Sequence, residues 1–383
     1  MSAAVSQSAI PAPAIGVAAR TWVEVSLAAL RHNWAYVRRQ VTPAAGLCAV
    51  VKADAYGHGA PRCAQALAEA GAEWLAVTSA AEGVKLREAG LRARVLVLAG
   101  FEREEGATLI EHRLTPTLWD VEQVRWLAQA LQSAPGARCA VHLKLDTGMG
   151  RLGATAAQMP EVLQALEAAP GLTLEAVCSH LAGAEASDAS ASLEQLARLR
   201  QMAAKLVRPW HLYNSEGGLR FARTEAEAGM LVRSGLALYG YSAQPDHAEA
   251  LQPALTWKAR VVSVKQLPAG HGVGYGAEAT RFHAARPMRV ATLAVGYADG
   301  YRRSFSPGGH VLVRGIEAPL VGAVSMDLTT VDVTGIEPAP ALGDEVLLLG
   351  PGLGADELAR WAATLPYEIL CGISARVERH YRS

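Results

Sequence analysis

Lys52 directly follows three apolar residues, Ala49, Val50 and Val51, and precedes a loop carrying Tyr56, Gly57, His58 and Gly59. An amine rooted on a rigid apolar strand is drawn out of water. Its pKa falls and it becomes a nucleophile toward carbonyls. The commoner state of a lysine is a packed stem with its ammonium in water, so Lys52 alone names no reaction. A second cluster, residues 144–153, reads KLDTGMGRLG and puts two cations and three glycines in ten residues. A glycine-rich turn lets Arg151 reach back over a pocket, where a guanidinium favours an anion or a phenolate oxygen. A structural turn with a surface arginine is the plainer alternative. Alternation along a strand puts Lys144 on one face with His142 and Asp146. Further on, Asn214, Ser215, Ser234, Gly235 and Leu236 offer hydroxyl and backbone N–H donors beside Arg233. His180 has no partner at metal-binding spacing, and no zinc or magnesium pattern is present, so no metal is expected.

These residues need a scaffold that brings them together. Short β-rich apolar runs at 47–51, 74–78, 95–99, 115–119, 140–145, 174–179, 209–214 and 230–233 alternate with helical patterns. Ser26 and Asp120 are suited to cap two of those helices, and leucines 193, 196 and 199 mark a third. Eight strands with helices between them predict a closed (β/α)8 barrel of the TIM type, whose chemistry sits where the strands end. Lys52, Asp146, His180, Asn214 with Ser215, and Arg233 all stand at such ends. An open doubly wound sheet is the competitor, but its GxGxxG fingerprint is absent after the first strand. Beyond about residue 251 the texture changes to short strands at 260–265, 289–295, 310–314, 320–324 and 345–349, with a late helix at 355–363. We therefore expect a flexible extension at 1–20, a barrel at 21–250 and a mostly β domain at 251–383.

Composition narrows the function. The 383 residues balance 36 Lys plus Arg against 36 Asp plus Glu, which leaves no surplus cations for nucleic acid. No apolar run is long enough to span a membrane. Five scattered cysteines without a CxxC pair, and a start lacking the basic residues of a signal peptide, point to a cytoplasmic protein.

The motifs together resemble the alanine racemase family. VVKADAYGHG (50–59) is similar to that family's pyridoxal-phosphate attachment motif. KLDTGMGRLG (144–153), SH (179–180), NS (214–215), RSGLALYG (233–240), GVGYG (272–276), VGYADGY (295–301), SMD (325–327) and YEILCGISARV (367–377) follow in the family's order. The resemblance implies a pyridoxal 5'-phosphate enzyme, an isomerase interconverting L- and D-alanine by proton transfer at Cα with two bases. Lys52 would hold the cofactor and serve one face. Tyr275 would serve the other, acting from the partner subunit of a homodimer with shared sites. It further implies that Tyr56, Ser215, the Gly235 and Leu236 backbone and Tyr367 hold the phosphate, and that Arg233 faces the pyridine nitrogen with His180 packed against the ring. Arg151 and the Met326 backbone would bind the substrate carboxylate, and Tyr297 would narrow the entry. Lys144 matches a lysine that several members carry as a carbamate. Ser234 stands where the family usually has proline, Ser325 replaces a frequent cysteine, and residues 181–185 differ from the common form. A broader amino-acid racemase is the nearest alternative. A cofactor carrier without turnover is less favoured, because it would need no second base. The resemblance leaves open whether the product D-alanine feeds the cell wall or the alanine is catabolised.

Overall fold

The computed structural model describes residues 19–204, 206–225, 229–276 and 282–383; residues 1–18, most of the expected extension, lie outside the described residues. Eight parallel strands, Gly46–Val50, Trp74–Val77, Arg94–Val97, Leu114–Leu118, Cys139–Lys144, Leu172–Cys178, Trp210–His211 and Leu231–Ser234, pair in sequence order. The last returns to the first, with Gly46 opposite Leu231 and Ala49 opposite Ser234. A bond from Arg233 N to Tyr213 O, 3.0 Å, ties the last two strands and completes the barrel. Every expected barrel strand is found. The shortest is the seventh, because the chain leaves the sheet at Leu212 to reach Asn214, whose side chain caps the helix Ser215–Phe221. Both anticipated caps form. Ser26 accepts from Ala29 N at the head of Leu27–Gln40, and Asp120 accepts from Glu122 N at the head of Val121–Gln132.

The second domain is a twisted β-sheet organised around one long strand, Leu255–Leu267. It pairs antiparallel with Thr21–Ser26, Met288–Leu293 and Glu345–Leu349. Thr21–Ser26 also lies parallel to Glu378–Arg382, so the first described strand joins the sheet built from the end of the chain. Sequence reading did not mark this strand. Its alternation of Trp22, Val23 and Val25 with polar neighbours is the signal that was available. The expected strand at 320–324 is not one. Gly322 turns there at φ +71°, and a Cβ on it would sit 2.7 Å from Val273 O. Ile316–Pro319 and Thr329–Asp332 form the strands instead. The late helix spans Ala355–Trp361.

The segment that leaves the first barrel strand at Lys52 is strained. Ala53, Asp54, Ala55 and Tyr56 all have φ between +51° and +55°, a left-handed turn built from residues with Cβ atoms. Each costs about 1–2 kcal/mol relative to right-handed backbone. The turn persists because both domains hold it. Ala53 N donates to Glu82 Oε1 (2.8 Å), Ala60 N donates to Asp54 Oδ1 (2.7 Å), and Arg379 Nε donates to Gly57 O (3.2 Å). The result aims Tyr56 inward, close behind Lys52. Gly57 closes the turn at φ +80°, where a Cβ would lie 2.3 Å from the Leu370 carbonyl oxygen. Backbone cannot yield as a flexible side chain does. Gly57→Ala should therefore destabilise the protein by about 2 kcal/mol or more in denaturant unfolding; a loss under about 0.5 kcal/mol would mean the two domains do not clamp this turn.

Candidate active site

A cavity of about 400 Å³ opens where the barrel strands end. Eleven of the residues singled out in the sequence line it: Lys52, Tyr56, Lys144, Arg151, His180, Asn214, Ser215, Arg233, Gly235, Leu236 and Tyr367. Four of these are cations, and no Asp or Glu is among the lining residues. Burial, then the charges of Arg151 and Arg233, pull the Lys52 amine below its ordinary pKa. Lys144 is lowered in the same way, by burial first and then by the neighbouring cations. A site with this charge distribution is built for an anion, and its amines are biased toward the neutral, nucleophilic form.

Arg233 is the most constrained of the four. It is 5% exposed. Its guanidinium donates to His211 Nδ1 (2.5 Å), Ser179 O (2.9 Å), His180 Nδ1 (3.1 Å) and Leu212 O (3.2 Å). A guanidinium is donor-only and stays protonated, so both imidazoles must present bare nitrogens to it. His180 complies: burial, and next Arg233, hold its pKa down at about 2. It is therefore a neutral acceptor that orients the arginine.

At the other end of the cavity the donors are hydroxyls and amides. Ser215 Oγ accepts from Gly235 N (2.8 Å) and Ala237 N (3.2 Å), which draws this turn against the helix Ser215–Phe221. Gly235 is required for a close approach: a Cβ there would lie 2.3 Å from the Tyr56 hydroxyl. Tyr56 packs against Tyr239 and Tyr367, with ring centroids 4.8 and 6.0 Å away. Burial raises the Tyr367 phenol to about 12 and drives that of Tyr56 higher still, so both remain neutral O–H donors.

The polar face of His142, Lys144 and Asp146 does not stay together. Lys144 lines the cavity, whereas Asp146 turns away and accepts from the amides of Gly148, Met149 and Gly150 at 2.9–3.1 Å. That carboxylate shapes the glycine-rich loop carrying Arg151. His142 lies deeper in the barrel, with Nδ1 2.8 Å from His211 Nε2. Sequence reading passed over His211. A histidine inside the otherwise apolar run at 209–214 was its only signal.

Tyr275, Tyr297 and Met326 are not in the cavity. All three belong to the β domain and are 71%, 45% and 54% exposed. Tyr297 and Met326 form one surface unit, tied by Tyr297 N to Ser325 O and Ala298 N to Met326 O, each 3.0 Å. Within one chain, then, two groups exist: a complete cationic pocket, and a set of exposed aromatic and apolar side chains facing outward.

The family model "alanine racemase, N-terminal domain" matches residues 25–243, and "alanine racemase, C-terminal domain" matches 254–381. The chain is 40% identical to an alanine racemase of Syntrophobacter fumaroxidans over 93% of its length and 96% of that protein. It is 43% identical to one of Symbiobacterium thermophilum, covering 94% and 97%. Among solved structures it resembles alanine racemase from Streptomyces lavendulae with TM-score 0.89 at 34% identity, over 96% of this chain and 98% of that one. It also resembles the Bartonella henselae alanine racemase with covalently bound pyridoxal phosphate, with TM-score 0.87 at 29% identity, covering 95% and 100%. The chain belongs to the alanine racemase family.

Proposed function

We propose that this protein interconverts L- and D-alanine with pyridoxal 5'-phosphate as its resident cofactor, in a site completed by a second copy of the chain. The observation that carries the reading is the cavity itself: four cations without an acid, a low-pKa lysine at one strand end and hydroxyl and amide donors opposite. The donor set suits the cofactor's chemistry. Ser215, Tyr56, Tyr367 and the Gly235–Leu236 backbone would hold the phosphate, Arg233 would meet the ring nitrogen, and Lys52 would attach the aldehyde carbon. The free thiols of all five cysteines suit a reducing, cytoplasmic setting.

When bound, the cofactor would supply an electron sink that acidifies the substrate Cα–H. The rest falls to the chain. Arg233 cannot give up its proton, so it would leave the ring nitrogen unprotonated and the electron withdrawal moderate, which would favour return of the proton to Cα over side reactions. Arg151 binds the carboxylate, and Lys144, as a carbamate, would set an anion against that guanidinium. Lys52 moves the proton on one face of Cα. Tyr275, from the partner chain, moves it on the other. The exposure of Tyr275, Met326 and Tyr297 in a single chain fits such an assembly, with Met326 N donating to the carboxylate and Tyr297 narrowing the entry.

Two experiments test this arrangement. Borohydride reduction of the cofactor-loaded protein should leave the pyridoxyl group on Lys52 in peptide mass mapping; its recovery on Lys144 would move the attachment site. Mixing Lys52→Ala and Tyr275→Phe chains should restore activity in a fraction of sites, since one hybrid pocket holds both bases. Tyr275→Phe alone should lower racemisation by about 10²–10⁴-fold. Chains that demonstrably exchange yet remain as inactive as their parents would refute sharing between subunits.

A further inference from the structure

The contacts that hold Arg233 do not end at His211. They continue away from the cavity, down the inside of the barrel toward the ends where its strands begin. His211 Nε2 lies 2.8 Å from His142 Nδ1, and His142 Nε2 faces Glu175 Oε2 at 3.5 Å. Both rings are buried. Glu175 is gripped in turn by Arg94 through two bonds of 2.6 and 2.5 Å, and that guanidinium sits 3.9 Å over the Trp74 ring.

The two ends of this chain are chemically one-way. A guanidinium only donates and a carboxylate only accepts. Arg233 therefore needs a bare Nδ1 on His211, which puts the His211 proton on Nε2. That N–H needs a bare Nδ1 on His142, which puts the His142 proton on Nε2, pointing at Glu175. Burial and the charge of Arg233 hold His211 neutral, so it has one proton to place. The reversed order would set His211 Nδ1–H against an Arg233 N–H at 2.5 Å, two donors facing each other in a buried site.

We propose that Glu175 is a positioning residue for Arg233: its carboxylate, at the far end of the barrel, fixes the proton on the outer nitrogen of His142 and through it the bare nitrogen of His211 on which Arg233 rests. The link to catalysis rests on the function proposed above, whereas the proton order is a property of the chain itself. A glutamine at 175 offers an N–H as well as an oxygen, so the far end no longer enforces the order and Arg233 alone is left to hold it. An aspartate keeps the acceptor-only end.

The test is 15N NMR of the protein labelled at histidine, purified without and with pyridoxal phosphate, together with steady-state kinetics. In the unaltered protein both His142 and His211 should carry their proton on Nε2. Glu175→Gln should show mixed tautomers at both rings and a kcat about tenfold lower with KM changed less than about twofold. Glu175→Asp should return the single tautomer and most of the rate. A proton on His211 Nδ1 in the unaltered protein overturns the proposal, and this holds even if the glutamine variant fails to fold. So does a glutamine variant with unchanged tautomers, or equal loss of rate in the glutamine and aspartate variants. An unaltered protein with the predicted tautomers and no racemisation would refute the proposed function and leave the proton order standing.

Discussion

A guanidinium buried inside a barrel, with no carboxylate in contact among the described residues, is the constraint around which this structure is arranged. Removing a charge from water is costly unless it is hydrogen-bonded on every side. Arg233 meets that demand with two main-chain carbonyls and two neutral imidazoles, contributed by the loop after the sixth strand and by the seventh strand and its exit. Their positions depend on the barrel closing, and the closing bond is made by the Arg233 amide itself. Because its nearest partners are neutral, the charge is left uncompensated on the cavity side. Lys52, Lys144 and Arg151 add to it. The pocket consequently selects for a ligand that brings its own negative charge, and it keeps two amines easy to deprotonate.

The β domain answers a different need. It clamps the left-handed turn after Lys52 through the Arg379 side chain and the Leu370 backbone, so Lys52 and Tyr56 are positioned by both ends of the chain. It also carries Tyr275, Tyr297 and Met326 on its outside. A domain that supports its own pocket from behind while presenting these side chains outward has the arrangement that the proposed sharing of sites requires.

Much of this was legible in the sequence, for identifiable reasons. Most of the barrel strands are largely buried apolar runs, and such runs stand out against amphipathic helices. Lys52, Arg233 and Ser215 were visible as polar residues at the points where those runs stop. What stayed hidden depends on long-range pairing. Thr21–Ser26 takes its place from partners more than two hundred residues away, and no local pattern assigns it to the second domain. The 320–324 run has strand composition but is broken by the left-handed backbone of Gly322. Asp146 looked like a pocket residue by alternation, yet its carboxylate is drawn off by three loop amides. His142 and Glu175 sit in mid-strand positions and His211 ends a two-residue strand, where polar residues usually signal only an ordinary buried contact.

The most direct measurement is deuterium wash-in at Cα of each alanine enantiomer, followed by NMR in deuterium oxide with the pyridoxal-phosphate-loaded protein. The account predicts incorporation starting from either enantiomer, accompanied by appearance of the other. Stoichiometric cofactor binding with no exchange from either enantiomer would contradict it and leave a protein that only carries the cofactor.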